Sequence, residues 1–156
     1  MKIQILKRNG REYDCMICRH NETGKFSYVN LTLSRICPCE FDTIEEALDD
    51  LNSESDVRAY TIMGEEPSSH ILIDISPNIT GVAGHDYGKY VFEEQVKPYL
   101  KYRTKYTIHF PEHITLLAIS FVEGFSEDFV RADFIDRFII QGNPKFVKRF
   151  NADLVF

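Results

Sequence analysis

The chain lacks any apolar run of the roughly 18 residues that a membrane-spanning helix requires. A membrane partner is therefore not expected. The opening residues, Met1-Lys2-Ile3-Gln4-Ile5-Leu6-Lys7-Arg8, are too few and too charged for a signal peptide, so the expectation is a cytoplasmic protein. In that compartment the Asn-x-Thr sequons at Asn21, Asn30 and Asn78 carry no meaning. Positive charge is in deficit: 18 Lys and Arg stand against 24 Asp and Glu, leaving a net charge of -6. That balance argues against nucleic acid as a partner, because a phosphate backbone wants a basic surface. Two local basic groups (Lys97, Lys101, Arg103 and Lys105; Lys145, Lys148 and Arg149) read as solvated helix and loop positions. Internal repeats and low-complexity segments are absent.

Catalytic motifs are missing as well. Gly81-Val82-Ala83-Gly84 is not followed by the Lys-Ser or Lys-Thr of a phosphate-binding loop. His109 and His113 flank Pro111-Glu112, and that proline forbids the helix on which a His-Glu-x2-His peptidase site is built. His85-Asp86 lies in a Gly-containing loop after a strand, where α/β sheets often bind ligands, but no nucleophile stands beside it. Glu93-Glu94 reads as a solvated helix face. No enzyme is expected.

What is present suits one domain or two small ones with a proper core: 156 residues, 44% of them hydrophobic. The polar run Gly64-Glu65-Glu66-Pro67-Ser68-Ser69 separates two parts, residues 1–66 and 70–156. In the first, Lys2 to Lys7, Tyr13 to Arg19 and Phe26 to Leu33 read as strands. Asn21-Glu22-Thr23-Gly24 turns a hairpin between the last two. Thr43-Ile44-Glu45-Glu46 is a capping box opening a helix to about Asn52, and Val57 to Met63 is a further strand. The order is β-β-β-α-β.

The second part alternates. His70 to Ser76 reads as a buried strand, Asn78 to Gly88 as a Gly-rich loop, and Tyr90 to Leu100 as a helix that Pro98 kinks or ends. Strands follow at Lys105 to Phe110 and Ile114 to Phe121, then a helix from Ser126 to Arg137 and a strand at Phe138 to Gln141. Asn143-Pro144 caps a last helix. The pattern β-α-β-β-α-β-α predicts an α/β sheet covered by helices, α+β for the chain as a whole.

The stretch Thr115 to Phe134, TLLAISFVEGFSEDFVRADF, carries the most information. A strand ending at Phe121, a tight connection through Val122-Glu123-Gly124-Phe125 and a helix opening at Ser126-Glu127-Asp128-Phe129 resemble the STAS-like domain of unknown function of bacterial and phage proteins. Val122, Gly124, Phe129 and Phe134 fit its pattern, as do His85-Asp86-Tyr87-Gly88 and the helix around Phe92 to Leu100 upstream. The resemblance covers about Ile71 to Phe150. It implies a regulatory module whose partner has a histidine-kinase-like ATPase fold, or is another switch protein, with a partner kinase phosphorylating a serine at this helix start. Here Glu127-Asp128 replace the family's serine pair, and only Ser126 offers a hydroxyl. Ser126 is read first as a plain N-cap and second as a phosphorylation site, with Glu127, Asp128 and Phe129 completing the partner switch.

Cys15-Met16-Ile17-Cys18 and Cys37-Pro38-Cys39 form two pairs with eighteen residues between them. That invites a four-thiolate zinc site, with His20 able to replace one ligand. Against it, Cys15 and Cys18 point to opposite faces of a regular strand, and the second pair is Cys-x-Cys. A second reading is reduced cysteines acting as small core hydrophobes, and the least favoured is a redox site, because Cys-x2-Cys does not stand at a helix start here. Zinc apart, no cofactor is expected.

The leading functional expectation is a non-enzymatic regulatory or protein-interaction module. Its suspected surface joins Phe125 to Phe129 with the loop Thr80 to Gly88. One alternative is a phage or mobile-element inhibitor of a host defence enzyme, for which Asp49, Asp50, Glu54 and Asp56 would help build an acidic face. Another is a zinc-stabilised adaptor. The sequence leaves the oligomeric state open.

Overall fold

The computed structural model describes residues 1–101 and 104–154. Arg103 of the first basic group lies outside the described residues. The protein is α+β and divides into two compact units, Met1–Ser69 and His70–Phe156.

In the first unit, β1 (Lys2–Lys7), β2 (Glu12–Arg19), β3 (Phe26–Asn30), β4 (Arg35–Ile36) and β5 (Val57–Ile62) form an antiparallel sheet in the order β5-β1-β2-β3-β4. Strict alternation sets the register. Ile3 and Ile5 of β1 and Cys15 and Ile17 of β2 turn inward together, with Ile3 opposite Cys15. Helix α1 (Ile44–Ser53) buries Ala47 and Leu51, one turn apart. Its cap forms largely as its residues dictate: Thr43 Oγ1 accepts from Glu46 N at 3.1 Å. The Glu46 carboxylate reaches back one residue further than a standard capping box, to Asp42 N at 3.0 Å. The Tyr28 hydroxyl donates to the Ala47 carbonyl, and the Tyr60 hydroxyl to Asn52 Oδ1 at 2.7 Å, tying α1 to the sheet.

Two expectations fail here. Strand β3 stops at Asn30 rather than Leu33, and the added strand β4 makes the order β-β-β-β-α-β. Side chains take over the backbone groups that a longer strand would need. Asn30 Oδ1 accepts from Leu33 N at 3.0 Å and Thr32 Oγ1 from Asp14 N at 2.9 Å, which turns the chain before β4.

In the second unit, β6 (Ser68–Leu72, which enters this unit at His70), β8 (Tyr106–His109) and β10 (Phe138–Gln141) lie side by side, β8 and β10 parallel. A separate parallel pair joins β7 (Gly81–Val82) to β9 (Leu116–Leu117). The helices are α2 (His85–Gln95), α3 (Ile119–Phe125), α4 (Arg131–Arg137) and α5 (Pro144–Asp153), with a 3₁₀ turn at Lys97–Tyr99. The core mixes aliphatic side chains with a cluster of phenylalanine rings. Phe121, Phe125, Phe134, Phe146 and Phe150 are fully buried, and Phe110 meets Phe146 at 4.8 Å between ring centroids.

The order differs from β-α-β-β-α-β-α at several places. Strand β6 ends at Leu72 instead of Ser76 because the Gln95 amide brackets Asp74. It accepts from Asp74 N at 2.6 Å and donates to Asp74 O at 2.9 Å. Helix α2 starts at His85, inside the expected loop, and ends at Gln95. Pro98 falls in the 3₁₀ turn that follows. The expected strand Ile114–Phe121 is instead two strand residues and then α3. A run that is apolar at all but two positions has no clear period to tell strand from buried helix. Here Phe121, Val122 and Phe125 are all buried by wrapping around a helix. The expected helix Ser126–Arg137 starts only at Arg131. Strand β10 and the Asn143 cap, whose Oδ1 accepts from Lys145 N at 3.0 Å, stand where expected.

Candidate functional site

Helices α2 and α3 touch backbone to backbone, and two glycines make that possible. A Cβ on Gly88 would lie 2.1 Å from the Phe121 carbonyl oxygen, and one on Gly124 would lie 1.9 Å from the carbonyl oxygen of His85. The Ser120 hydroxyl adds a bond by accepting from Gly84 N at 2.9 Å. The crossing thus brings the start of α2 against the end of α3. The loop Thr80 to Gly88 and the segment Phe125 to Phe129, far apart in sequence, meet there.

Beneath the crossing is core. Phe125 is buried, and Phe92 meets Phe125 and Phe129 edge to face at 5.3 and 5.5 Å. Phe129 also packs on Phe138, and the Arg137 guanidinium lies 5.6 Å from the Phe129 ring centroid. Phe125 and Phe129 are therefore packing residues and not an exposed docking pair.

Above the crossing is charge. Glu127 Oε2 receives Lys89 Nζ at 3.0 Å, and Glu127 Oε1 lies 3.4 Å from His85 Nε2. Asp86 Oδ1 is 3.7 Å from His85 Nδ1, and Asp128 Oδ2 is 3.9 Å from Lys97 Nζ. The hydrogen bond from Lys89 holds the Glu127 carboxyl below its usual range, and Glu127 raises Lys89 in turn. These groups are solvent-exposed, and ion pairs of this kind add little to folding. The arrangement can steer and orient a charged macromolecular surface. It offers no nucleophile with an activating base.

Ser126 does not open a helix. It closes α3, its hydroxyl donating to the Val122 carbonyl at 2.7 Å. The strand-to-helix step that carried the family resemblance, and the N-terminal dipole that would favour phosphate at Ser126, are thus not formed. A phosphate here would face the carbonyl end of a helix.

The four cysteines do not assemble. Cys15 is buried and Cys18 half-buried, both unlinked, as their opposite strand faces require. Cys37 and Cys39 are joined in a disulfide rather than reduced. Among the described residues no three of His, Cys, Asp and Glu converge to hold a metal ion, so the proposed thiolate set does not fit zinc. His20 Nε2 meets the Ser27 hydroxyl at 2.7 Å instead.

One pair escapes sequence reading. His70 Nδ1 and His109 Nε2 share a hydrogen bond of 2.8 Å, their rings stacked 5.1 Å apart. Burial holds both imidazoles at about 4, His109 also through its neighbour. Only the pairing of β6 with β8 brings them together. His113 lies elsewhere, on the Ser76 carbonyl at 3.0 Å. In the suggested acidic run, Glu54 and Asp56 are bound by Lys7 at 3.2 and 3.0 Å. Among the described residues no helix is long and apolar enough to cross a membrane.

No family model, curated protein or solved structure matches this chain.

Proposed function

We propose that the second unit is a non-enzymatic protein-interaction module with regulatory use, and that its contact surface is the charged top of the α2–α3 crossing. One observation carries this reading: Glu127 gathers His85 and Lys89 onto one exposed face, over a close crossing that two glycines permit. Charges that contribute little to folding but sit on a fixed base suit recognition of a charged partner. The STAS-like resemblance would make that partner a histidine-kinase-like ATPase. The proposal rests on the surface and not on that likeness.

The test uses the full chain as bait in extracts of its native host, with any captured protein then purified and titrated against it. Wild type should bind one such protein saturably. Glu127→Lys and Lys89→Glu should each weaken binding at least about tenfold while circular dichroism and melting stay unchanged. Binding that is indifferent to both changes would refute the assignment of this face.

A further inference from the structure

The disulfide between Cys37 and Cys39 encloses only Pro38. A cross-link stabilises chiefly by restricting the unfolded chain, and so short a loop gives the least of that effect. Nor does its segment depend on it for position. Cys37 N donates to the Tyr28 carbonyl at 2.9 Å, and Phe41 and Phe26 exchange backbone bonds of 2.8 and 2.7 Å. Between them the buried Ser27 hydroxyl donates to the Cys39 carbonyl at 2.5 Å while meeting His20 Nε2 at 2.7 Å. The strand-like segment beside β3 is therefore held at Cys37, Cys39 and Phe41 without the sulfur–sulfur bond.

The bond is also reachable and polarised. Cys37 and Cys39 are half-buried, and Ile36, Pro38 and Glu40 around them are exposed. Cys39 N–H donates to Cys37 Sγ at 3.3 Å. A donor on one sulfur stabilises negative charge there, which makes that sulfur the better leaving group. Among the described residues no N–H or O–H donates to Cys39 Sγ.

We propose that Cys37 and Cys39 form a thiol–disulfide exchange site whose substrate is an external dithiol. One thiolate of the dithiol attacks Cys39 Sγ, the Cys37–Cys39 bond breaks, and Cys37 leaves as a thiolate under its amide hydrogen bond. The second thiolate of the dithiol then attacks its own sulfur in the mixed disulfide and releases Cys39. The dithiol becomes a disulfide, and two electrons and two protons pass to Cys37 and Cys39. In a reducing compartment such a pair is a redox sensor or catalyst and not a staple.

The test uses the oxidised full chain with dithiothreitol as the dithiol and glutathione as a trapping monothiol. After thiol alkylation under native conditions, dithiothreitol should add two labels, on Cys37 and Cys39 together, with circular dichroism unchanged. A brief glutathione pulse with acid quench should place the adduct on Cys39 in about tenfold excess over Cys37. The proposal is overturned if the oxidised chain has no Cys37–Cys39 bond, or if the bond opens only in denaturant. It is equally overturned if reduction unfolds the chain, or if the adduct settles on Cys37.

Discussion

Gly124 lies flat against His85: a Cβ on the glycine would stand 1.9 Å from the His85 carbonyl oxygen and 2.7 Å from its carbonyl carbon. The obstructing atoms are backbone, so no side-chain rotation can relieve the clash. Only separation of α2 from α3 would do so, which would also open the Phe92–Phe125 contact beneath.

Gly124→Ala should therefore destabilise the protein despite its better helix propensity. The propensity gain is about 1 kcal/mol, while forced overpacking costs about 1–3 kcal/mol or more. A net loss of up to about 2 kcal/mol is expected in urea unfolding, with Gly88→Ala behaving alike. A variant as stable as wild type would show that the crossing is looser than described.

The His70–His109 pair predicts acid sensitivity. Both imidazoles sit at about 4 in the folded protein against an ordinary 6.5. A folded value below the unfolded one means that unfolding takes up protons. Their contribution is complete above about pH 6.5 and is lost as pH falls through 4. NMR titration should find both rings neutral at pH 5.5, and His109→Gln should flatten the stability loss between those limits. Ring titration near 6.5 in the folded chain would contradict the pairing.

Ser126 should behave as the end of a helix. Ser126→Ala removes the bond to the Val122 carbonyl and should cost about 0.5–1.5 kcal/mol. Ser126→Asp should cost more, because it adds negative charge to a helix C-terminus. Were the aspartate more stable than the alanine in urea unfolding, the helix-start reading would be restored.

The caps at Thr43 and Asn143 should each contribute about 1 kcal/mol. Thr43→Ala and Asn143→Ala should show losses of that size in denaturant midpoints. Ser or Asp at either position should recover most of the loss. Failure of both replacements to recover it would mean that the bonds to Glu46 N and Lys145 N do not cap these helices.

Some of this protein was written in its residues alone. The hairpin of β2 and β3, the α1 cap, the strand Phe138–Gln141 and the Asn143-Pro144 helix start depend on neighbours a few positions apart, where alternation and capping chemistry act. Other features depended on partners distant in the chain. Ile114 to Phe121 is apolar at all but Thr115 and Ser120, so the surrounding Phe110, Phe134, Phe146 and Phe150 rings decided that its end, from Ile119, enters a buried helix. That choice moved Ser126 from a helix start to a helix end. The meeting of His85 with Glu127, of His70 with His109, and of Ser27 with Cys39 likewise followed from strand pairing and helix crossing. Two glycines with no local signature permit the crossing. Local chemistry was legible because its atoms are bonded neighbours; the site was not, because its atoms become neighbours only once the core has closed.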